Sequence, residues 1–351
     1  MKSKKFFSET LLKWNQFENT REMPWKGEKD PYKIWISEII LQQTRVQQGL
    51  AYYNRFIQAW PNIESLAAAG EQEVYKLWEG LGYYSRCRNI LLTAKLINNE
   101  LGGRFPQQYE DILSLKGIGH YTASAIASFA FNLPYAVLDG NVLRVLSRFF
   151  GIRVPVDSTE GKKMFSVLAR DLMDKVHPGI YNQAIMDFGA VICKPMLPLC
   201  ASCPLQKKCV AFSKKMVSIL PLKEKSIGKR ERFFNYLVVK QGNKIYVNQR
   251  THKDIWQNLY EFILVETETL VPGEKFINAK IFTSLFSGYT YKITKISKVF
   301  SQKLTHQTIT GRFFHIIITT SQKPLEKYKP IPVKELGLLP FPKFITSYLK
   351  D

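Results

Sequence analysis

Three groups of residues have types and spacings that could do chemistry. The first is Gly117-Ile118-Gly119, set between an apolar segment and a helix expected to begin near Tyr121. Two glycines around one apolar residue let the backbone turn tightly and leave amide N–H groups uncovered. At the start of a helix such groups bind phosphate. The second is Val137-Leu138-Asp139-Gly140-Asn141, which presents a carboxylate after an apolar run and before a helix expected over Asn141 to Phe149. Either alone also suits a plain role, as a helix–helix turn or an N-cap. Together they let one segment hold a nucleic-acid backbone and present an acid nearby. The third is Cys193-x6-Cys200-x2-Cys203-x5-Cys209. Four thiolates in one loop after a helix can wrap a [4Fe–4S] cluster or a single zinc, and spacing alone leaves that choice open. Their clustering points to a metal site in a reducing compartment rather than to disulfides. Cys87 stands apart, as a buried or free thiol.

The elements that must position these groups are helices through about residue 220. Apolar positions recur at helical spacing over Phe6–Phe17, Pro31–Trp60, Ile63–Leu77, Arg86–Leu101, Tyr121–Phe131, Asn141–Phe149, Glu160–Val176 and Tyr181–Ile192. Trp60-Pro61, Gly102-Gly103, Phe105-Pro106 and His177-Pro178-Gly179 separate them. Residues 213–230 are polar and basic, as a linker would be. Strand-like alternation follows, beginning with RFFNYLVVK, Gly242-Asn243 and KIYVNQR as a hairpin. YEFILVE, YKITKISKVF and TGRFFHIIITT are further strands, with short helices expected over Phe276–Phe286 and Val333–Leu339. The domains expected are a helical one over 1–212, the linker over 213–230 and a mixed α/β one over 231–351.

Net charge is +21, with 45% hydrophobic residues. From Lys229 onward there are 20 basic and 9 acidic side chains, against 30 and 20 before it. Positive charge spread over both parts points to a polyanionic partner, with DNA or RNA ahead of a membrane surface. The longest mostly apolar run, Ala123–Leu138, is interrupted by Ser124, Ser128, Asn132 and Pro134, so no transmembrane helix is expected. No secretory signal is evident either. A monomer in the cytoplasm, nucleoid-associated in a bacterium, is the expectation.

LKGIGHYTASAI resembles the helix–hairpin–helix of base-excision DNA glycosylases, LDGNVLRVLSR their catalytic-Asp segment, and the cysteine spacing their [4Fe–4S] loop. Within that superfamily the chain is most similar to the adenine DNA glycosylases of the MutY family. Support comes from MPWKGEKDPYKIWISEIILQQTRV (23–46), EGLGYYSRCRN (79–89) and YNQAIMDFGAVIC (181–193). The resemblance implies an all-α helix–hairpin–helix domain with a [4Fe–4S] loop, followed by a Nudix-like domain without the acidic Nudix box. It implies double-stranded DNA with adenine opposite 8-oxoguanine or guanine as the partner.

That chemistry asks for one acid for the leaving base and one anion for the sugar cation. Glu38 lies among Ile36, Ile39, Ile40 and Leu41. Burial there would favour its protonated form, which suits a general acid. By resemblance Glu38 protonates N7 of adenine, Asp139 stabilises the cationic sugar or a covalent intermediate, and Tyr121 and Asn141 hydrogen-bond at the same centre. Tyr121 replaces the lysine of the endonuclease III family and cannot form an imine, which implies a monofunctional enzyme. Gln43 and Tyr83 carry over as wedges in the duplex, and Gly117 and Gly119 as backbone contacts. Lys26 stands where many relatives carry Arg and loses bidentate geometry. Leu304-Thr305-His306 occupies the 8-oxoguanine loop, with Thr305 and His306 as readers. The cluster ligands are Cys193, Cys200, Cys203 and Cys209. The rivals are a glycosylase acting on thymine in T:G mispairs, and a non-catalytic DNA binder.

Overall fold

Helical spacing governs the first part of the chain. In the computed structural model it yields helices Lys2–Phe17, Pro31–Leu41, Val46–Ala59, Ile63–Ala68, Glu71–Trp78, Tyr84–Glu100, Tyr109–Ser114, His120–Phe131, Gly140–Phe150, Thr159–Leu172 and Pro178–Val191. The structure describes every residue except 1, 24, 43, 45, 225–227, 229 and 321–324. The chain divides into two units, 1–69 with 89–226, and 70–88 with 227–351.

The first unit is all-helical among its described residues. Its core joins Phe7, Leu11 and Trp14 of the first helix to Val145 and Phe149, Phe165, Ile185 and Phe188. Trp14 meets Phe188 edge-on, with ring centroids 5.0 Å apart. The stretch read as one helix over Pro31–Trp60 is two, because the helix stops at Leu41 and a new one starts at Val46. The Ile63–Leu77 stretch likewise breaks after Ala68. The short helix Tyr109–Ser114 lay in a segment too brief to show a period. The expected linker is packed in its first half. Met216 and Leu220 are buried with Ala211, and Leu220 O accepts the Arg148 Nε–H at 3.0 Å.

Among the described residues the second unit is built on a mixed eight-stranded sheet. Arg230–Gln241 and Gln307–Thr320 run parallel at its centre, in register from Arg230 opposite Gln307 to Gln241 opposite Ile318. Gly242-Asn243 closes the hairpin to Lys244–Gln249. Both central strands are buried on both faces. Leu237, Val239, Phe314 and Ile316 pack with Phe276 and Phe282 on one side. On the other, Tyr236 and Phe313 lie under helix Lys343–Leu349, where Tyr348 stacks on Phe313 at 3.7 Å. Burial on both faces explains the unbroken apolar runs of these strands.

Residues 70–88, read from the sequence as part of the helical domain, belong to this second unit. Asn258 Nδ2 donates to Glu71 Oε1 at 2.8 Å, Arg88 to Gln257 Oε1 at 2.5 Å, and the Phe341 N–H to Glu79 Oε1 at 2.8 Å.

Candidate active site

Helix Pro31–Leu41 starts where Asp30 accepts the Tyr32 N–H at 2.9 Å, with Pro31 in the first turn. It is apolar on nearly every side, and Ile34 through Ile40 are all buried. Glu38 is therefore carried inside, 5% exposed. The Tyr121 hydroxyl donates to Glu38 Oε2 at 2.5 Å. Burial pushes the Glu38 pKa up to about 7; the Tyr121 hydrogen bond opposes this and the nearby Asp139 charge adds to it. Burial also lifts Tyr121 well above the usual phenol range, so it remains a donor.

Asp139 caps helix Gly140–Phe150. Its Oδ1 accepts the Val142 N–H at 2.7 Å and its Oδ2 accepts Asn141 Nδ2 at 2.6 Å. Burial raises its pKa, and the donors at Val142 and Asn141 and the Arg144 charge pull it back. With both oxygens accepting N–H groups, the ionised form is the one this geometry satisfies. The segment before it is fixed by buried Asn182, which accepts the Val137 N–H at 3.2 Å and donates to Tyr135 O at 2.8 Å. Gly189 allows helix Pro178–Val191 to lie against Asn141, since a Cβ there would come within 2.7 Å of Asn141 Cβ.

Arg144 ties this centre to the cysteine loop. It donates to Asn141 Oδ1 at 2.8 Å, to Gly189 O at 2.7 Å and to Cys193 O at 2.7 Å. One turn on, Arg148 donates to Cys193 Sγ at 3.5 Å, Lys194 O at 2.7 Å and Pro195 O at 3.1 Å. The four cysteines are free thiols, each partly buried. Among the described residues no three His, Cys, Asp or Glu side chains form a group suited to a single ion.

Glu38, Tyr121, Asp139 and Asn141 line one cavity of about 490 Å³. Arg21, Trp25 and Gln183 line it too, and were not singled out in the sequence. Arg21 is held by fully buried Asp187, 2.7 Å from its guanidinium. Gln183 donates to the same carboxylate at 3.0 Å. The i, i+4 placing of Gln183 and Asp187 on one helix was the available signal. Lys26 is drawn into this pair, 3.0 Å from Arg21 O and 3.4 Å from Asp187. It lines a second cavity of about 210 Å³, which Glu38 also reaches.

The glycine turn faces solvent. Lys116, Gly117, Gly119 and His120 are exposed while Ile118 is buried beneath them. Gly117 has φ +84°, and a Cβ there would meet Asn89 at 2.6 Å. Gln43 lies outside the described residues; its neighbour Gln42 donates to Thr122 Oγ1 at 3.2 Å. In the second unit Tyr83, 41% exposed, places its hydroxyl 2.6 Å from Thr305 Oγ1. Thr305 and His306 are exposed on a turn closed by Leu304 N–H to Gln307 O at 2.7 Å.

Similarity to known proteins extends over both units. A family model described as HhH-GPD superfamily base excision DNA repair protein matches residues 36–166, and a NUDIX domain model matches 235–351. The adenine DNA glycosylase of Buchnera aphidicola subsp. Schizaphis graminum is 39% identical over 265 residues, 75% of this chain and 76% of that one. That of Buchnera aphidicola subsp. Baizongia pistaciae is 36% identical, over 89% of this chain and 86% of that one. Among solved structures, a thermostable thymine-DNA glycosylase superposes with a TM-score of 0.56 at 31% identity, covering 61% of this chain and 98% of that one.

Proposed function

The chain belongs to the adenine DNA glycosylase family of base-excision repair enzymes, hydrolases of N-glycosyl bonds, and on that premise we propose that it excises adenine paired with 8-oxoguanine or guanine in duplex DNA. The observation that carries the proposal is one cavity shared by a buried carboxyl near neutrality and a hydrogen-bonded carboxylate. Adenine enters this cavity by leaving the base stack. Protonated Glu38 gives its proton to N7 as the bond from C1′ to N9 breaks, and the bonding electrons leave with the base. The Asp139 carboxylate stabilises the cation left on the sugar. Water then attacks C1′ and returns a proton to Glu38. Tyr121 holds Glu38 in place, and Asn141, itself held by Arg144, holds Asp139. Strand cleavage through an imine is not expected, because position 121 has no amine.

The exposed turn at Gly117–Gly119 supports a phosphate contact. A [4Fe–4S] cluster held by Cys193, Cys200, Cys203 and Cys209 is part of this reading, supported by their spacing, by all four being free thiols and by the Arg148 N–H donated to the Cys193 sulfur. When bound, the cluster would supply a rigid fastening for the loop. On this reading Thr305 and His306, exposed on a turn of the Nudix-like unit, contact the base opposite the adenine. Thymine in T:G mispairs is the weaker reading, since the thymine-DNA glycosylase match leaves the rest of this chain without a counterpart.

The deciding assay incubates the protein with duplexes carrying A opposite 8-oxoguanine, A opposite G, or T opposite G. Strand breaks are scored with and without alkali. Alkali-dependent breaks at adenine are expected. Breaks at thymine, or breaks without alkali, would refute the proposal.

A further inference from the structure

Glu38 stands between two spaces. One is the cavity of about 490 Å³ that it shares with Asp139, and the other is the cavity of about 210 Å³. Trp25, Glu38 and Gln183 line both, so the two spaces meet at these three side chains. The smaller one runs from buried Ile34 and Ser37 to Gly27, Lys29 and Ile180, which are exposed. None of the residues at that outer end lines the larger cavity. The outer end is firmly built. Glu28 Oε1 accepts the Lys29 and Asp30 N–H groups at 2.8 and 2.9 Å. Gly179 seats its helix against Ser128, where a Cβ would come within 2.8 Å of the Ser128 carbonyl oxygen. Lys29 Nζ donates across the opening to Phe129 O at 2.9 Å.

On the proposed function adenine is freed with N7 against Glu38, while its sugar and the duplex stand on the Asp139 side. It leaves the sugar as a neutral base, the C1′–N9 electrons going to N9 and the Glu38 proton to N7. The bound duplex covers the way by which it entered. We propose that the cavity of about 210 Å³ is a binding site and exit for the freed purine, which departs past Ile180 while the duplex is still held. Apolar walls with a few polar groups suit a small heteroaromatic ligand. Trp25, Ile34 and Phe129 offer apolar surface to the faces of the ring, and Ser37 and Gln183 offer hydrogen bonds to its edge. Trp25 is itself braced edge-on by Tyr53, at 5.3 Å between ring centroids. Lys29 is a strap across the opening, and an exposed hydrogen bond of this kind exchanges readily with water. The inference rests on the reading of Glu38 as the acid that frees adenine.

The test follows the two products separately. A duplex with radiolabelled adenine opposite 8-oxoguanine is tethered to beads and given an excess of the full chain. Abasic sites are counted on the beads with alkali, free adenine is counted in the wash, and bound protein is followed by immunoblot. Adenine should reach the wash as fast as abasic sites form, with the protein still on the beads. Ile180→Trp fills the outer opening from an exposed position. Abasic sites should then form at the unchanged rate, and adenine should lag behind them by about tenfold or more. Ile180→Ala should show no lag. A second measurement needs no catalysis. Free 2-aminopurine, added to the protein on a duplex carrying a tetrahydrofuran abasic analogue, should be quenched by the unchanged chain and not by Ile180→Trp. Quenching by both or by neither overturns the site. Adenine that leaves the unchanged chain only as the protein leaves the beads overturns the exit, and so does prompt release from Ile180→Trp; the reading of Glu38 survives either result. If no abasic sites form at adenine, that reading falls and the exit with it.

Discussion

The two units place their working side chains in opposite settings. In the helical unit Glu38, Tyr121 and Asp139 are withdrawn from water and joined to one another or to backbone N–H groups. In the sheet unit Tyr83, Thr305 and His306 stand in solvent on the rim of a packed core. On the proposed function the difference follows from the tasks. Moving a proton near neutral pH needs a carboxyl whose pKa has been lifted, and burial is the means. Reading a base edge needs donors and acceptors that water has kept available. Variants of the first group should therefore change the rate whatever base lies opposite, and variants of the second should change the ratio between opposite bases.

The largest test of that division is Asp139→Asn. Excision should fall by about a thousandfold or more, on both A:8-oxoguanine and A:G duplexes. Affinity for the duplex should persist in a mobility-shift titration. A folded variant that no longer binds would move Asp139 out of the chemistry.

Next comes pH. Glu38 holds its proton below about 7 and loses it above, so single-turnover rates should decline as pH rises through that value. Tyr121→Phe removes the hydrogen bond that lowers the Glu38 pKa, and the decline should move to higher pH. The same shift enters stability. Between the ordinary 4.5 and about 7 the unfolded chain sheds this proton and the folded chain keeps it. That contribution makes the fold less stable as pH rises through the window. Glu38→Gln should flatten the dependence of Tm on pH there; an unchanged profile would show that Glu38 titrates normally.

Smaller is Arg144→Lys. An ammonium cannot reproduce the fork that reaches Asn141, Gly189 and Cys193 together. Excision should drop about tenfold, equally on both duplexes, for the loss of roughly one well-made hydrogen bond at the centre. A changed ratio would blur the division between the units. Smallest is Gly117→Ala, which should cost about 1 kcal/mol in a denaturant titration because φ is positive there. It should weaken duplex binding without moving the ratio.

The acids and the glycine turn were legible because local context marks them. Glu38 sits in an apolar run, and Asp139 precedes a helix it goes on to cap. What the sequence concealed was of two kinds. Leu41-Gln42-Gln43-Thr44 contains no glycine or proline, so nothing announced that the helix stops there. Arg21, Arg144 and Asp187 look like ordinary surface charges in one dimension. Asp187 is nonetheless fully buried between Arg21 and Gln183. Met216 and Leu220 were hidden by the lysines around them. Helix periodicity reported the faces that meet a core, but not which core. The segment 70–88 has the same pattern as its neighbours and is hydrogen-bonded to Gln257, Asn258 and Phe341, more than a hundred residues away.

That interleaving has a bearing on how the molecule is made. Residues 89–226 are, topologically, an insertion within the sheet unit. During synthesis the helical unit has all of its chain before the first strand at Arg230 leaves the ribosome. Glu71, Glu79 and Arg88 must wait for their partners Asn258, Phe341 and Gln257. Contacts across such separations form slowly, and the waiting segment is the part most exposed to misassembly. The sheet unit is thus the last to be completed, after the helical one.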